Sequence, residues 1–238
     1  MKFEKIEWNG FQGVSFEFSG RVASVVMPPV SNGKFALKTE YKNAFPNTEI
    51  ELLRRGWHIA FNENLHRWAT EDEIDIKADF VKFVAKEFSL SEKCVPIGMS
   101  CGGLYALRLA FKHPELVSAL YLDAPVMNFL SCPGAFGKGQ DFYSEFYKAT
   151  GISKSELINY REHPVDKVHL LLENKIPVIL VSGDSDTVVP YDENGIILER
   201  YYREHNGEIY VYLKEGADHH PHGLDDVTPI VDLIEKIS

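Results

Sequence analysis

Apolar and polar residues alternate first at Val14, Phe16 and Phe18, separated by Ser15 and Glu17. That two-residue period marks a strand with one buried face. A Ser19-Gly20 turn follows, and Val22 to Met27 is then nearly continuous in apolar residues. Such a run suits a strand covered on both faces. Trp57–Phe61, Cys94–Ile97, Ala119–Leu122, Val178–Val181 and Ile209–Leu213 read as further strands. Between them the period lengthens. Asn47 to Arg55 reads as a short helix with an Asn cap and Gly56 just past its end. Thr70-Glu71-Asp72-Glu73 has the form of a capping box. Ile74, Ala78, Val81, Ala85 and Phe88 then recur at spacings of four and three, one face of a helix. Leu104 to His113 is a helix stopped by Pro114, and Thr228 to Ile237 closes the chain as another.

Strands alternating with helices predict an α/β class, a mostly parallel sheet with helices on both faces. The leading strands lack a helix between them, so an antiparallel hairpin is expected to start the sheet. One stretch breaks the rhythm. Residues 126–175 separate two strands by far more than a helical crossover needs. They hold a Gly-rich patch, Cys132 to Gly139, and an aromatic stripe of Phe142, Tyr143, Phe146 and Tyr147. A small cap insertion is the expectation; a plain amphipathic helix packed on the sheet would also account for the aromatics. No repeat, low-complexity tract or linker divides residues 1–238, which are read as one domain.

Charge narrows the partners. Lys and Arg number 25 against 35 Asp and Glu, a net charge of −10, which argues against binding a phosphate backbone. No apolar run approaches the roughly 18–20 residues of a membrane span, and Met1-Lys2-Phe3-Glu4-Lys5 is charged where a secretory signal needs an apolar core. Neither nucleic acid nor membrane is expected as a partner, and the compartment expected is the cytoplasm. Cys94, Cys101 and Cys132 are too few for a disulfide framework and fit reducing conditions.

The chemistry concentrates at three strand ends. Gly98-Met99-Ser100-Cys101-Gly102 matches G-x-S-x-G, which average composition would supply by chance roughly one time in ten. Its setting, between a strand ending at Ile97 and a helix near Leu104, is the strained turn that presents a nucleophilic serine. A serine hydroxyl needs a base, and the base needs an orienting carboxylate. Val178–Val181 runs into Asp184 and Asp186, and Ile209–Leu213 runs into Asp218, His219, His220 and His222. Asp184 and Asp123 are rival acids to Asp186; His220 and His222 are rival bases to His219. The Asp218-His219-His220-His222 cluster could alternatively bind metal. Neighbouring loop histidines share no helical face, however, and no second ligand motif stands out. Neither metal nor cofactor is expected.

From end to end the chain resembles the α/β-hydrolase superfamily. Gly98–Gly102 resembles its nucleophile elbow and Gly183-Asp184-Ser185-Asp186-Thr187-Val188-Val189-Pro190 its acid loop. Gly216-Ala217-Asp218-His219 resembles its G-x-G-H loop, with Asp218 in place of the second glycine. The resemblance implies Ser100 as nucleophile, Asp186 as acid and His219 as base, on an eight-stranded sheet with one small cap. Gly102-Gly103-Leu104-Tyr105, Asp123-Ala124-Pro125-Val126 and His219-His220-Pro221-His222 also resemble a bacterial esterase and lipase subgroup. Two backbone N–H groups should form an oxyanion hole. Cys101, after the nucleophile, is expected to supply one. The loop after Met27 is expected to supply the other; Pro28 and Pro29 have no N–H, which leaves Val30.

The function so implied is a serine hydrolase that cleaves a carboxylic ester of a small molecule through an acyl-enzyme. The same three residues would serve a thioesterase, peptidase or acyltransferase, and a non-catalytic ligand-binding member of the fold is a further alternative.

Overall fold

Side chains along each central strand alternate between two hydrophobic cores, one on either face of the sheet. In β7 (Leu120–Asp123), Leu120 and Leu122 enter the larger core of 41 buried residues, while Tyr121 enters a core of 16. β8 (Val178–Gly183) repeats the pattern, Val178 and Leu180 on one side and Ile179 and Val181 on the other. This two-sided burial is why these strands read as continuous apolar runs. The computed structural model describes all 238 residues.

The remaining strands are β1 (Glu4–Trp8), β2 (Phe11–Phe18), β3 (Arg21–Val26), β4 (Phe35–Lys38), β5 (His58–Asn62), β6 (Val95–Met99) and β9 (Ile209–Lys214). Their order across the sheet is β1-β2-β3-β5-β4-β6-β7-β8-β9. β1, β2 and β3 form an antiparallel meander, and β3 pairs antiparallel with β5. Every pairing from β5 to β9 is parallel. The helices are α1 (Asn47–Arg54), α2 (Glu71–Glu87), α3 (Cys101–Lys112), α4 (Tyr143–Thr150), α5 (Lys154–Asn159), α6 (Val168–Glu173), α7 (Gly195–Glu204) and α8 (Thr228–Ile237). α2, α3, α6 and α7 cover the larger core; α1 and α8 cover the smaller one. No helix is long and apolar enough to cross a membrane.

The sheet has nine strands rather than the eight expected. β1 escapes the periodic pattern because Glu4, Lys5 and Glu7 lie exposed at the sheet edge. β4 escapes it because it is four residues long and ends in a lysine. Yet β4 lies between β5 and β6, wholly buried. Lys38 is tolerated there because its ammonium donates to Glu49 Oε1 at 2.6 Å, a buried pair linking β4 to α1. The capping box at Thr70 also does not form. Thr70 is the N-cap of α2, but its hydroxyl donates to Asp72 at 2.6 Å. Glu73 turns inward to Arg21 and to the Tyr105 hydroxyl at 3.1 Å. A buried carboxylate with charged and neutral donors outcompetes a local cap.

Close approach of β8 to the segment after β9 sets the distance between the loops at their ends. A Cβ on Gly183 would stand 2.2 Å from the Ala217 carbonyl oxygen and 2.7 Å from that of Asp218. Gly183→Ala therefore forces the two loops apart. Overpacking of this kind costs about 1–3 kcal/mol, which chemical denaturation will register as a lower midpoint with an unchanged slope.

Candidate active site

The parallel strands β4 to β9 all end at one edge of the sheet, and a cavity of about 290 Å³ lies there. Ser100 follows β6, Asp186 follows β8 and His219 follows β9. Each strand end thus delivers one group to a common place.

Ser100 occupies the turn into α3 at φ 53° and ψ −119°. A non-glycine residue there carries strain of order 1–3 kcal/mol and must be held by its surroundings. The Ser100 N–H donates to the Asp123 carbonyl at 2.9 Å, and the Val126 N–H donates to the Ser100 carbonyl at 3.0 Å. The flanking glycines are obligatory. A Cβ on Gly98 would lie 2.5 Å from the Gly102 carbonyl oxygen, and one on Gly103 would lie 2.4 Å from Pro125 Cβ.

Asp186 is buried and fully engaged. Its Oδ1 accepts the N–H groups of Val188 at 2.8 Å and Val189 at 2.7 Å, and its Oδ2 meets His219 Nδ1 at 2.7 Å. His219 Nε2 lies 3.1 Å from Ser100 Oγ. With Asp186 ionised, His219 carries its proton on Nδ1 and turns the Nε2 lone pair to the serine. Asp218 explains why an aspartate replaces the expected glycine. Its Oδ1 accepts from the Thr187 N–H and the His219 N–H, both at 2.8 Å, tying the acid loop to the histidine loop. Those two backbone donors, Thr187 first, hold its carboxyl below the ordinary range.

The rival residues have separate partners. Asp184 accepts from the Gly216 N–H at 2.8 Å. Asp123 accepts from His222 Nδ1 at 2.7 Å and from the Gly223 N–H at 2.5 Å. Two buried aspartate–histidine pairs therefore stand side by side, with the His219 and His222 rings 4.8 Å apart. The second pair was legible only as two unrelated rivals, because 99 residues separate its members. His220 is exposed beside them; partial burial and the neighbouring imidazoles lower its pKa. His58 and His163, outside the site, are also buried.

Val30 is not at the site. β3 runs antiparallel to β5, pairing Val26 with Ile59, so the loop after β3 emerges at the opposite sheet edge. There Asn32 donates its N–H to the Gly56 carbonyl at 2.8 Å, and Val30 is 79% exposed. The loop reaching Ser100 follows β4 instead, and its Tyr41 lines the cavity. Cys101 is the first residue of α3, where an N–H has no partner within the helix. Burial keeps the Tyr41 phenol protonated. Arg67, held by Glu145 at 2.7 and 2.8 Å, and Phe142, beneath its guanidinium at 4.5 Å, close another wall.

Cys101 also lines the cavity, yet burial pushes its thiol up to about 12, with Arg67 pulling the other way. The reactive thiolate is thus scarce at pH 8, and all three thiols are buried. Iodoacetamide at pH 8 will therefore leave Cys94, Cys101 and Cys132 unmodified in native protein and label all three in denaturant, as intact mass will show.

Residues 54–230 match the prolyl oligopeptidase family. The chain is similar in structure to the acylaminoacyl peptidase of Pyrococcus horikoshii, with a TM-score of 0.69 and 15% identity over 92% of this chain and 38% of that one. It is similar to a puromycin-hydrolysing peptidase of Mycobacterium tuberculosis, with a TM-score of 0.67 and 14% identity over 94% of this chain and 38% of that one. TT1662 from Thermus thermophilus shares a TM-score of 0.64 and 13% identity, covering 99% of this chain and 95% of its own. The fold is that of the α/β hydrolases. The chain spans little more than a third of the length of the two peptidases.

Proposed function

The chain belongs to the prolyl oligopeptidase family, and from that premise we propose that it is a serine hydrolase that cleaves an amide bond after a small, uncharged acyl group, such as an N-blocked aminoacyl residue. The hydrogen-bonded line Asp186–His219–Ser100, at 2.7 and 3.1 Å along one cavity wall, carries the reading. Ser100 Oγ attacks the carbonyl carbon while His219 Nε2 takes its proton. Asp186 holds the imidazolium so formed. The N–H group of Cys101, at the start of α3, is the donor for the developing oxyanion, a contribution of about 2.7–4 kcal/mol for a well-placed donor. Collapse of the tetrahedral intermediate expels the amine, which leaves with the proton from His219. Water, activated by the same histidine, then releases the acid and regenerates Ser100.

The cavity supports an uncharged acyl group. At about 290 Å³ it sits at the small end of ligand sites, and none of its fourteen lining residues is an aspartate or glutamate. A free α-amino group would therefore be buried there without a counter-charge, at a cost a blocked one avoids. The same lining suits the carboxylic ester of a small acid, which is the second reading and the one consistent with an esterase-like subgroup. Three free thiols suit a reducing compartment such as the cytoplasm.

N-acetyl-aminoacyl p-nitroanilides, their free-amine counterparts and p-nitrophenyl esters of the same acids separate the readings. The expected order of kcat/KM among anilides is blocked above free. Turnover of esters alone would transfer the assignment to the carboxylic ester. An active-site phosphonate should label Ser100, and Ser100→Ala should abolish both labelling and turnover. Folded protein that neither labels nor turns over any of these substrates overturns the hydrolase assignment.

The two acids are separable in the same assay. Asp186→Asn removes the carboxylate that fixes the His219 tautomer and should lower kcat by about 10⁴. Asp123→Asn leaves the Asp186–His219 bond in place and should cost far less. The reverse ranking would make Asp123 the acid.

A further inference from the structure

The proposed reaction uses one histidine, but the loop after β9 brings three together. One ring nitrogen from each of His219, His220 and His222 lies within 4.8 Å of the other two. Their ring centroids are 4.8, 4.8 and 5.0 Å apart, and all three rings line the cavity beside Ser100. Two of the three have the outer partners that metal-binding imidazoles have. His219 Nδ1 is bonded to Asp186 and His222 Nδ1 to Asp123, each at 2.7 Å, which leaves Nε2 of both rings as the free nitrogen. A carboxylate on the far nitrogen fixes the tautomer and raises the basicity of the near one. Both aspartates are buried and keep further donors, so neither pair depends on an exposed side chain.

We propose that His219, His220 and His222 form a site for a borderline divalent cation, Zn²⁺ foremost, and that its occupation switches the hydrolase off. Three imidazoles suit zinc or copper; magnesium and calcium call for oxygen ligands, and the cavity lining has no carboxylate. Zn–N bonds of about 2.0–2.1 Å require the nitrogens to draw together to roughly 3.3 Å. His220, exposed and stacked on Phe45 at 5.7 Å, is the ring free to swing inward. The fourth tetrahedral position falls to water or to Ser100 Oγ, 3.1 Å from His219. Coordination takes the Nε2 lone pair of His219, the pair that would accept the serine proton. Metal binding and proton transfer therefore exclude each other. The inhibition rests on His219 being the base proposed above; the metal binding does not.

Calorimetric titration of chelator-treated protein with Zn²⁺ tests the site without reference to turnover. One ion per chain is expected, with a Kd in the micromolar range or tighter, and Co²⁺ should give the visible absorption of a tetrahedral complex. His220→Ala, at an exposed position that the fold does not need, should weaken Zn²⁺ about tenfold or more, and His222→Ala likewise. Inhibition should follow the same concentration dependence and reverse with EDTA. Absence of saturable binding overturns the proposal. So does Zn²⁺ binding that His220→Ala leaves unchanged, which would assign the ion to Cys101 and Cys132 in the same cavity. Binding that obeys the histidine variants in a protein without hydrolytic activity would keep the site and refute the hydrolase reading alone.

Discussion

The architecture depends on one tight approach, the turn from β6 into α3. There is no room for a side chain at Gly98, whose Cβ would overlap the Gly102 carbonyl, nor at Gly103, whose Cβ would overlap Pro125. Because both backbones can close up, Ser100 is forced into a positive-φ conformation at the sheet edge. The hydroxyl is thereby held clear of the helix that follows it. The strain is stored in one residue and is offset by bonds to Asp123 and Val126 in the neighbouring segment, so β7 and β6 fix the nucleophile together.

Around that point, buried or bridging carboxylates set the loops. Asp186 orients the histidine ring, Asp218 ties the acid loop to the histidine loop, and Asp184 accepts from Gly216. Asp123 anchors the far end of the histidine segment through His222 and Gly223, while its own carbonyl receives the Ser100 N–H. Loops at a sheet edge have no ladder to define them, and short charge-assisted bonds to backbone N–H groups substitute for one. Four of the acidic residues in a chain of net charge −10 thus have structural partners at the site rather than forming a diffuse surface charge.

The same bonds bear on substrate. They use up the carboxylates near the cavity, and Glu145 of α4 is neutralised by Arg67. What remains facing the space above Ser100 is aromatic, aliphatic, thiol, amide and imidazole, with the paired Arg67 at one wall. That lining supports the proposed neutral acyl group and the proposed metal ion.

Much of this was determined locally. The elbow, the acid loop and the histidine loop are each written in a few consecutive residues at the end of a strand, and their order in the chain matches their order in the sheet. Strands buried on both faces declared themselves as apolar runs, so the parallel core was legible. The failures share one cause. β4 is too short to show a period, so its central position could not be seen, and the loop after β3 was taken for the loop that reaches the nucleophile. Strand direction is a property of pairing: the antiparallel pairing of β3 with β5 sends Val30 to the opposite edge, and Tyr41 of the loop after β4 lines the cavity instead. The Asp123–His222 pair and the inward turn of Glu73 were likewise invisible, because burial alone decides which of several possible partners a carboxylate takes. The sequence by itself determined which residues have chemistry to offer; the tertiary structure decided which of them meet, since that choice depends on desolvation and distance across the sheet.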